Sequence, residues 1–219
     1  MKKSGKRPMN ISKCMALIRE SLSVRSRNII HDEKQLYEHA GVLVPIIEEV
    51  GILSVLLTKR TDMVEHHKGQ ISFPGGSVDE EDGSVKETAL REAQEEIGLQ
   101  RKDVEILGRL DDTLTLISNF IVHPFVGFVP YPYNFSINRT EVERLINVPL
   151  SVFNTKSSGA ESNSIEFEGM TNQSQSYSYN GDLIWGATAR IMQNFMNIIG
   201  NKLLLLEGEK YITCNNLDL

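Results

Sequence analysis

The chain has 219 residues, 40% of them hydrophobic and 24% charged, which excludes collagen-like or wholly disordered sequence and allows a sizeable core without metal or disulfide staples. Lys+Arg 23 against Asp+Glu 29 leaves a formal net charge of −6. That surface repels polyanions and argues against a nucleic-acid partner, though not against a small anionic substrate held through a cation. Along the chain, residues 1–10 read as a basic disordered arm, although an organelle-targeting arm would carry the same charges. Behind Asn10 as a candidate N-cap, Ile11, Cys14, Met15, Ile18 and Leu22 fall at helical spacing. Residues 42–47 and 52–57 are apolar runs separated by Glu48-Glu49-Val50-Gly51, the pattern of a β-hairpin. Ile71-Ser72-Phe73 predicts a short strand stopped by Pro74-Gly75-Gly76. A further strand pair fits residues 104–110 and 120–129. Residues 154–180, rich in Ser and Asn, predict a surface loop or wide hairpin. A last helix is expected over about 187–199, where Ala187, Ile191, Phe195 and Ile198 recur at helical spacing.

Those elements predict one mixed α/β (α+β) domain spanning 1–219, without internal repeat or interdomain linker. The longest apolar stretches fall far short of a membrane span, so no membrane partner is expected. Cys14 and Cys214 lie near opposite ends without metal-type spacing. This is the usage of a reduced intracellular protein, with the cytoplasm as the default compartment. A homodimer is the prior expectation for assembly, on general grounds only.

The chemistry concentrates between residues 73 and 99. Ser84 followed three residues later by Glu87 is a capping box, so a helix starts near Val85, and Gly98 stands where its left-handed C-terminus is expected. Within it Glu92, Glu95 and Glu96 occupy i, i+3 and i+4, one arc of the helix surface. Val85, Ala89, Ala93 and Ile97 form an adjoining apolar stripe for the core. Three carboxylates on one face repel unless a cation is bound, and oxygen-rich clusters suit Mg²⁺ or Mn²⁺. The alternative is a solvated acidic face, the commoner fate of a Glu-rich stretch. Against it stand the rigid turn Phe73-Pro74-Gly75-Gly76 and Arg91, one turn before Glu95 and able to fix that carboxylate. A calcium loop over Asp79-Glu80-Glu81-Asp82-Gly83 fails, because with Gly83 at position 6 the first and twelfth positions are Val78 and Ala89.

Arg91-Glu92-Ala93-Gln94-Glu95-Glu96-Ile97-Gly98-Leu99 resembles the heart of the Nudix box, the signature of metal-dependent hydrolases of nucleoside diphosphates linked to another group. The general box also has a glycine fourteen residues before the arginine and a glutamate eight before it, where this chain has Ser77 and Gly83. One extra loop residue restores the pattern with Gly76 and Asp82, a spacing similar to that of the coenzyme A diphosphatase subgroup. Leu56-Leu57-Thr58-Lys59-Arg60 and Gly69-Gln70-Ile71-Ser72-Phe73-Pro74-Gly75-Gly76 are similar to that subgroup's second signature. Later segments around Gly108, Pro124, Pro149 and Trp185 look like its continuation, so the resemblance runs from about 40 to 195. Two positions depart, Thr61 mildly, in place of a small residue, and Glu65 with a reversed charge, where the subgroup has arginine. Either that arginine grips the substrate and its role passes here to Lys59, Arg60 or Lys68, or it is structural and Glu65 pairs with one of those cations.

The resemblance implies a Nudix fold, a mixed β-sheet core sandwiched between helices with a catalytic loop-helix-loop. It implies hydrolysis of coenzyme A or its thioesters to adenosine 3′,5′-bisphosphate and 4′-phosphopantetheine, with Mg²⁺ or Mn²⁺. Alternatives are another nucleoside diphosphate derivative (an ADP-sugar, a dinucleotide, a damaged nucleotide) or a binding module that has lost catalysis. Glu92 and Glu96 are the expected metal ligands, with Glu95 a third ligand or orienter and the carbonyl of Gly75 or Gly76 completing the shell. Glu95 leads as general base, with Glu141 or Glu143 next, and Arg91 positions the carboxylates, since guanidinium does not deprotonate. Arg60, Lys59, Lys68, Gly75 and Phe73 are the expected substrate contacts. His66 and His67 read as loop groups near substrate, Trp185 as core, Tyr177 and Tyr179 as a surface strand, and both cysteines as inert.

Overall fold

The computed structural model describes residues 11–62, 69–115, 118–154, 164–167, 170–173 and 175–207. In chain order they form α1 (Ile11–Ser23), β1 (Glu38–Glu49), β2 (Ile52–Arg60), β3 (Ile71–Ser72), β4 (Gly75–Ser77), α2 (Val85–Ile97), β5 (Glu105–Arg109), β6 (Thr113–Leu114), β7 (Phe120–Phe128), β8 (Val142–Pro149), β9 (Ser164–Phe167), β10 (Met170–Gln173), β11 (Tyr177–Tyr179), β12 (Asp182–Ile184) and α3 (Gly186–Glu207).

β1 is apolar over most of its length because both faces of its sheet are covered. Leu43 and Ile47 point towards α2 and pack with Leu56, Ala89, Ala93, Ile97, Phe125 and Val129. Val44 and Ile46 point the other way, into a core shared with Ile18 and Leu22 of α1 and Ile191 and Phe195 of α3. The sheet runs β3-β2-β1-β7-β5, with β4 added to β1, β6 to β7 and β8 to β2. β1 and β7 are parallel, from Glu38 opposite Phe120 to Ile46 opposite Phe128, and the other pairs are antiparallel. This is the mixed sheet between helices that the resemblance implied. The helix on one face seats closely because residue 41 is glycine: a Cβ there would collide with the Val85 carbonyl oxygen and lie 2.9 Å from the Ala89 nitrogen.

Most expected elements are present, and the differences have local causes. α1 begins at Ile11, while Asn10 and the 1–10 arm lie outside the described residues, as does Cys214. Gly75–Ser77, expected only as a turn, forms β4 by pairing with Ala40–Val42. β6 and β8 were not expected as strands. In β8, Val142, Ile146 and Val148 alternate inwards, but the partly exposed Arg144 interrupts the pattern and pairs instead with Asp182, at 2.6 and 2.7 Å. The 154–180 region holds part of two hairpins, β9–β10 and β11–β12, not one loop. Tyr177, expected at the surface, is 3% exposed and stands edge-on to Phe153, so it belongs to the core.

The segment between α1 and β1 is pinned by two aspartates beyond β5. Asp111 accepts from the amide of Asn28 (2.9 Å) and from Asn194 (2.8 Å), and it pairs with Arg25. Asp112, buried at 7% exposure, accepts from Ile30 N (3.2 Å), Arg109 (2.8 Å) and His123 Nδ1 (3.0 Å). His123 Nε2 lies 2.8 Å from Nδ1 of His39, whose ring stacks on it. Nδ1 of His123 meets both the Asp112 carboxylate and the Arg109 guanidinium, so Asp112, His123 and His39 form one hydrogen-bonded chain whose proton positions follow the tautomer.

Two predictions follow from these features. Val50 and Gly51 make the β1–β2 turn with φ of 52° and 82°, and Val50 is 95% exposed. A β-branched residue is strained there and packs on nothing, so Val50→Asn should raise stability by about 1 kcal/mol, read as a higher thermal midpoint. Burial holds His123 below its ordinary 6.5, the pull of Asp112 notwithstanding. Below that pH the unfolded chain therefore binds more protons than the folded one. Stability present above pH 6.5 should fall as pH is lowered towards 5, by at most about 1.4 kcal/mol per pH unit for this proton. Denaturant titrations of parent and His123→Gln across that window should show a shallower pH slope in the variant.

Candidate active site

α2 owes its ends to local sequence. Ser84, in extended backbone, accepts the Glu87 amide at 3.3 Å, and Gly98, at φ 70°, closes the helix with its N–H on Gln94 O (3.0 Å). Only half of the expected capping box forms, because the Glu87 carboxylate turns to Arg101 at 2.9 Å. Before the helix, β4 lies against β1 so closely that a Cβ on Gly75 would be 2.5 Å from Gly41 O. At residue 76 a Cβ would lie 2.6 Å from the carboxyl carbon of Glu92, so any larger residue would push that carboxylate aside.

Arg91 organises the acids around it. Its Nε and Nη2 take both oxygens of Asp82 at 3.0 and 2.9 Å, Nη2 also takes Ser77 O at 3.1 Å, and Nη1 bonds Glu92 (2.8 Å) and Glu95 (3.0 Å). The Arg91 hydrogen bonds hold Asp82, nearly buried, well below the usual carboxylate range. The three glutamates of the helix are not equivalent. Glu95 points outwards, its side chain 56% exposed. Glu92 is largely covered, and burial raises its pKa despite Arg91. Glu96 is only 3% exposed at the side chain and burial pushes it up to about 8, against the pull of Arg60, whose Nη1 stands 3.5 Å from Oε1.

Glu141, at the start of β8, adds its negative field to both Glu92 and Glu96. Its Oε1 accepts from Asn138 at 2.9 Å, a contact the sequence reading passed over although Asn-x-x-Glu is a turn-type spacing. Glu143 is half-exposed and paired with Lys59 at 3.2 Å. Phe73 is 4% exposed within the main core, so its reading as a substrate contact has no open ring to rest on. Lys68, Glu65, His66 and His67 lie outside the described residues. Trp185 is half-buried just before α3.

The arrangement fits a hard divalent cation. Glu96 Oε2 and Arg60 Nε are both buried without a hydrogen-bond partner among the described residues, one an acceptor for a cation and the other a donor for an anion. Among those residues no three Asp, Glu, His or Cys side chains stand in position to hold one ion. Glu92 and Glu96 are the carboxylates that could hold such an ion, with backbone oxygen and water completing its shell, as Mg²⁺ and Mn²⁺ sites allow. No helix among the described residues is long and apolar enough to cross a membrane.

The glycine-bounded loop, the carboxylate-bearing helix and Arg91 bridging Asp82, Glu92 and Glu95 are the features by which the sequence resembles the Nudix box. Comparison with known proteins agrees. A NUDIX domain family model matches residues 37–152, more than half of the chain. A protein named as the uncharacterized Nudix hydrolase NudL of Photorhabdus laumondii is 38% identical over 154 residues, covering 70% of this chain and 81% of that one. The same-named protein of Yersinia enterocolitica is 39% identical over 155 residues, 71% of this chain and 78% of its own. The crystal structure of a MutT/nudix family protein from Enterococcus faecalis superposes with a TM-score of 0.53 at 12% identity, covering 93% of this chain and 81% of that one, which is a likeness of fold. The chain belongs to the Nudix hydrolases, enzymes that act on pyrophosphate bonds and generally use divalent metal ions.

Proposed function

We propose that this hydrolase, working as one domain, cleaves the diphosphate bond of coenzyme A or its thioesters with Mg²⁺ or Mn²⁺, releasing adenosine 3′,5′-bisphosphate and 4′-phosphopantetheine or its acyl form. The observation that supports this reading is the place of the second signature. Leu56-Leu57-Thr58-Lys59-Arg60 ends β2 with Arg60 against Glu96, β3 pairs with that strand at Thr58 and Lys59, and Gly76 of β4 lies beneath the Glu92 carboxylate. The residues that resemble the coenzyme A subgroup therefore border the carboxylates. A second reading, a different nucleoside diphosphate derivative, is favoured by Glu65, which opposes an anionic substrate where the subgroup has arginine.

In this proposal Glu92 and Glu96 hold the cation with the carbonyl of Gly76, and Glu95 orients Arg91. When bound, the ion neutralises the phosphoryl oxygens and acidifies water. Arg60 offers its unpartnered Nε to the diphosphate, and Lys59 and Lys68 supply further positive charge. Glu141 takes the proton of the attacking water. It is better placed for this than Glu95, whose carboxylate faces solvent and is engaged by Arg91. Arg91 holds the set in place and exchanges no proton.

Purified protein with coenzyme A and Mg²⁺ or Mn²⁺, its products read by liquid chromatography and mass spectrometry, tests the substrate, with ADP-ribose and diadenosine tetraphosphate in parallel. Release of 4′-phosphopantetheine is expected. Turnover of another diphosphate without cleavage of coenzyme A would select the second reading, and inertness towards all three would overturn both. Glu96→Gln should lower turnover about 100-fold or more. Its metal-free thermal midpoint at pH 7 should stay close to the parent's, because a carboxyl pushed up to about 8 is already mostly neutral there and its pairing with Arg60 is weak. Parent-like turnover at saturating metal would remove Glu96 from the site.

A further inference from the structure

We infer that Asn138 is a positioning residue, setting the Glu141 carboxylate against the helix that carries Glu92 and Glu96; the inference rests on the reading of Glu141 as the base. Three sets of bonds meet at this asparagine. Its backbone N–H donates to the carbonyl oxygen of Glu96 at 2.8 Å. Its Nδ2 donates to Oε1 of Glu141 at 2.9 Å, and its Oδ1 accepts from Thr140 N (3.2 Å) and Thr140 Oγ1 (2.7 Å). Its own carbonyl accepts the amides of Glu141 and Val142 at 3.1 and 2.9 Å.

The first bond matters because the last carbonyls of a helix have no partner within it. In α2 two of them are met from outside: Asn138 N caps Glu96 O, and Ser136 N caps Ile97 O at 3.0 Å. The 133–141 segment is thereby registered on the very turn that carries Glu96. The other end of the segment is fixed to β2, where Thr61 N and Thr61 Oγ1 both donate, to Glu141 O and Thr140 O, at 2.9 Å. Between these anchors, among the described residues, the Asn138 side chain is what bonds the Glu141 carboxylate. One of its oxygens is taken by an amide that carries no charge. Asn138 therefore aims the group without neutralising it, which a lysine or arginine in its place would do.

The two halves of the Asn138 side chain separate positioning from mere loop architecture. Oδ1 serves the Thr140 turn, whereas Nδ2 serves Glu141. Asn138→Asp keeps the turn acceptor, removes the donor and sets a second carboxylate against Glu141. Asn138→Ala removes both. Steady-state rates would be measured on whichever of coenzyme A, ADP-ribose or diadenosine tetraphosphate is turned over with Mg²⁺, beside the thermal midpoint of each variant.

Asn138→Asp should keep a near-parental midpoint and KM while kcat falls about 10- to 100-fold, the scale of a displaced reacting group. In a Glu141→Gln background, itself strongly impaired, the Asp substitution should add less than twofold. Full activity of Glu141→Gln would overturn the base reading and this inference together. A dead Glu141→Gln beside a parent-like Asn138→Asp would overturn the inference alone, as would an Asn138→Asp loss that persists at full size in the Glu141→Gln background.

Discussion

Asp82, Glu92 and Glu95 converge on one guanidinium, and the placement of α2 relative to β4 depends on that convergence. Carboxylates at this spacing on one helix face repel one another, and exposed ion pairs would offset little of that repulsion. Arg91 answers it from a partly buried position, with a planar fork matched to both oxygens of Asp82 and further donors for Glu92, Glu95 and Ser77 O. Lysine could supply the charge but not the five directed donors. The bond to Ser77 O also ties the helix to β4, so the same side chain fixes the acids and the strand beneath them.

That clamp works only because the backbones come close enough. Gly41 lets α2 settle on β1, Gly75 lets β4 settle on the same strand, and Gly76 leaves room for the Glu92 carboxylate. These glycines lie together across the β1–β4 ladder, with Gly41 directly opposite Gly76. A side chain at residue 41 or 75 would part α2 or β4 from β1, and one at 76 would push the Glu92 carboxylate aside, so each would disturb the geometry around Glu92.

What the amino-acid order made legible was local. The start and stop of α2 follow from Ser84 and Gly98, and the arc of Glu92, Glu95 and Glu96 from helical periodicity. β1, β2 and β7 follow from apolar runs. What it hid was set by distant partners. Nothing in the spacing shows that Glu95 faces solvent while Glu96 is sealed beside Arg60, because that depends on where β2 ends. β4 exists only by pairing with residues more than thirty positions earlier, and β8 is disguised by Arg144, whose partner Asp182 comes much later. The His39–His123–Asp112 chain joins three segments whose mutual contact no local spacing shows.

Glu96 shows how fold and site pull against each other. Sheet and loop bury its carboxylate, and burial favours the neutral form; Arg60 opposes this from 3.5 Å, too weakly to keep the group in the ordinary carboxylate range. A fold selected for stability alone would place an apolar side chain there, among the neighbours of Ala93 and Ile97. Retaining a covered acid with an unpartnered oxygen makes sense when a cation completes its coordination, since the desolvation that penalises the bare carboxylate also strengthens its attraction for a divalent ion. Arg60 carries the same logic: its Nε is buried without a partner among the described residues, a donor suited to an anionic group that a cation at Glu96 would help to hold.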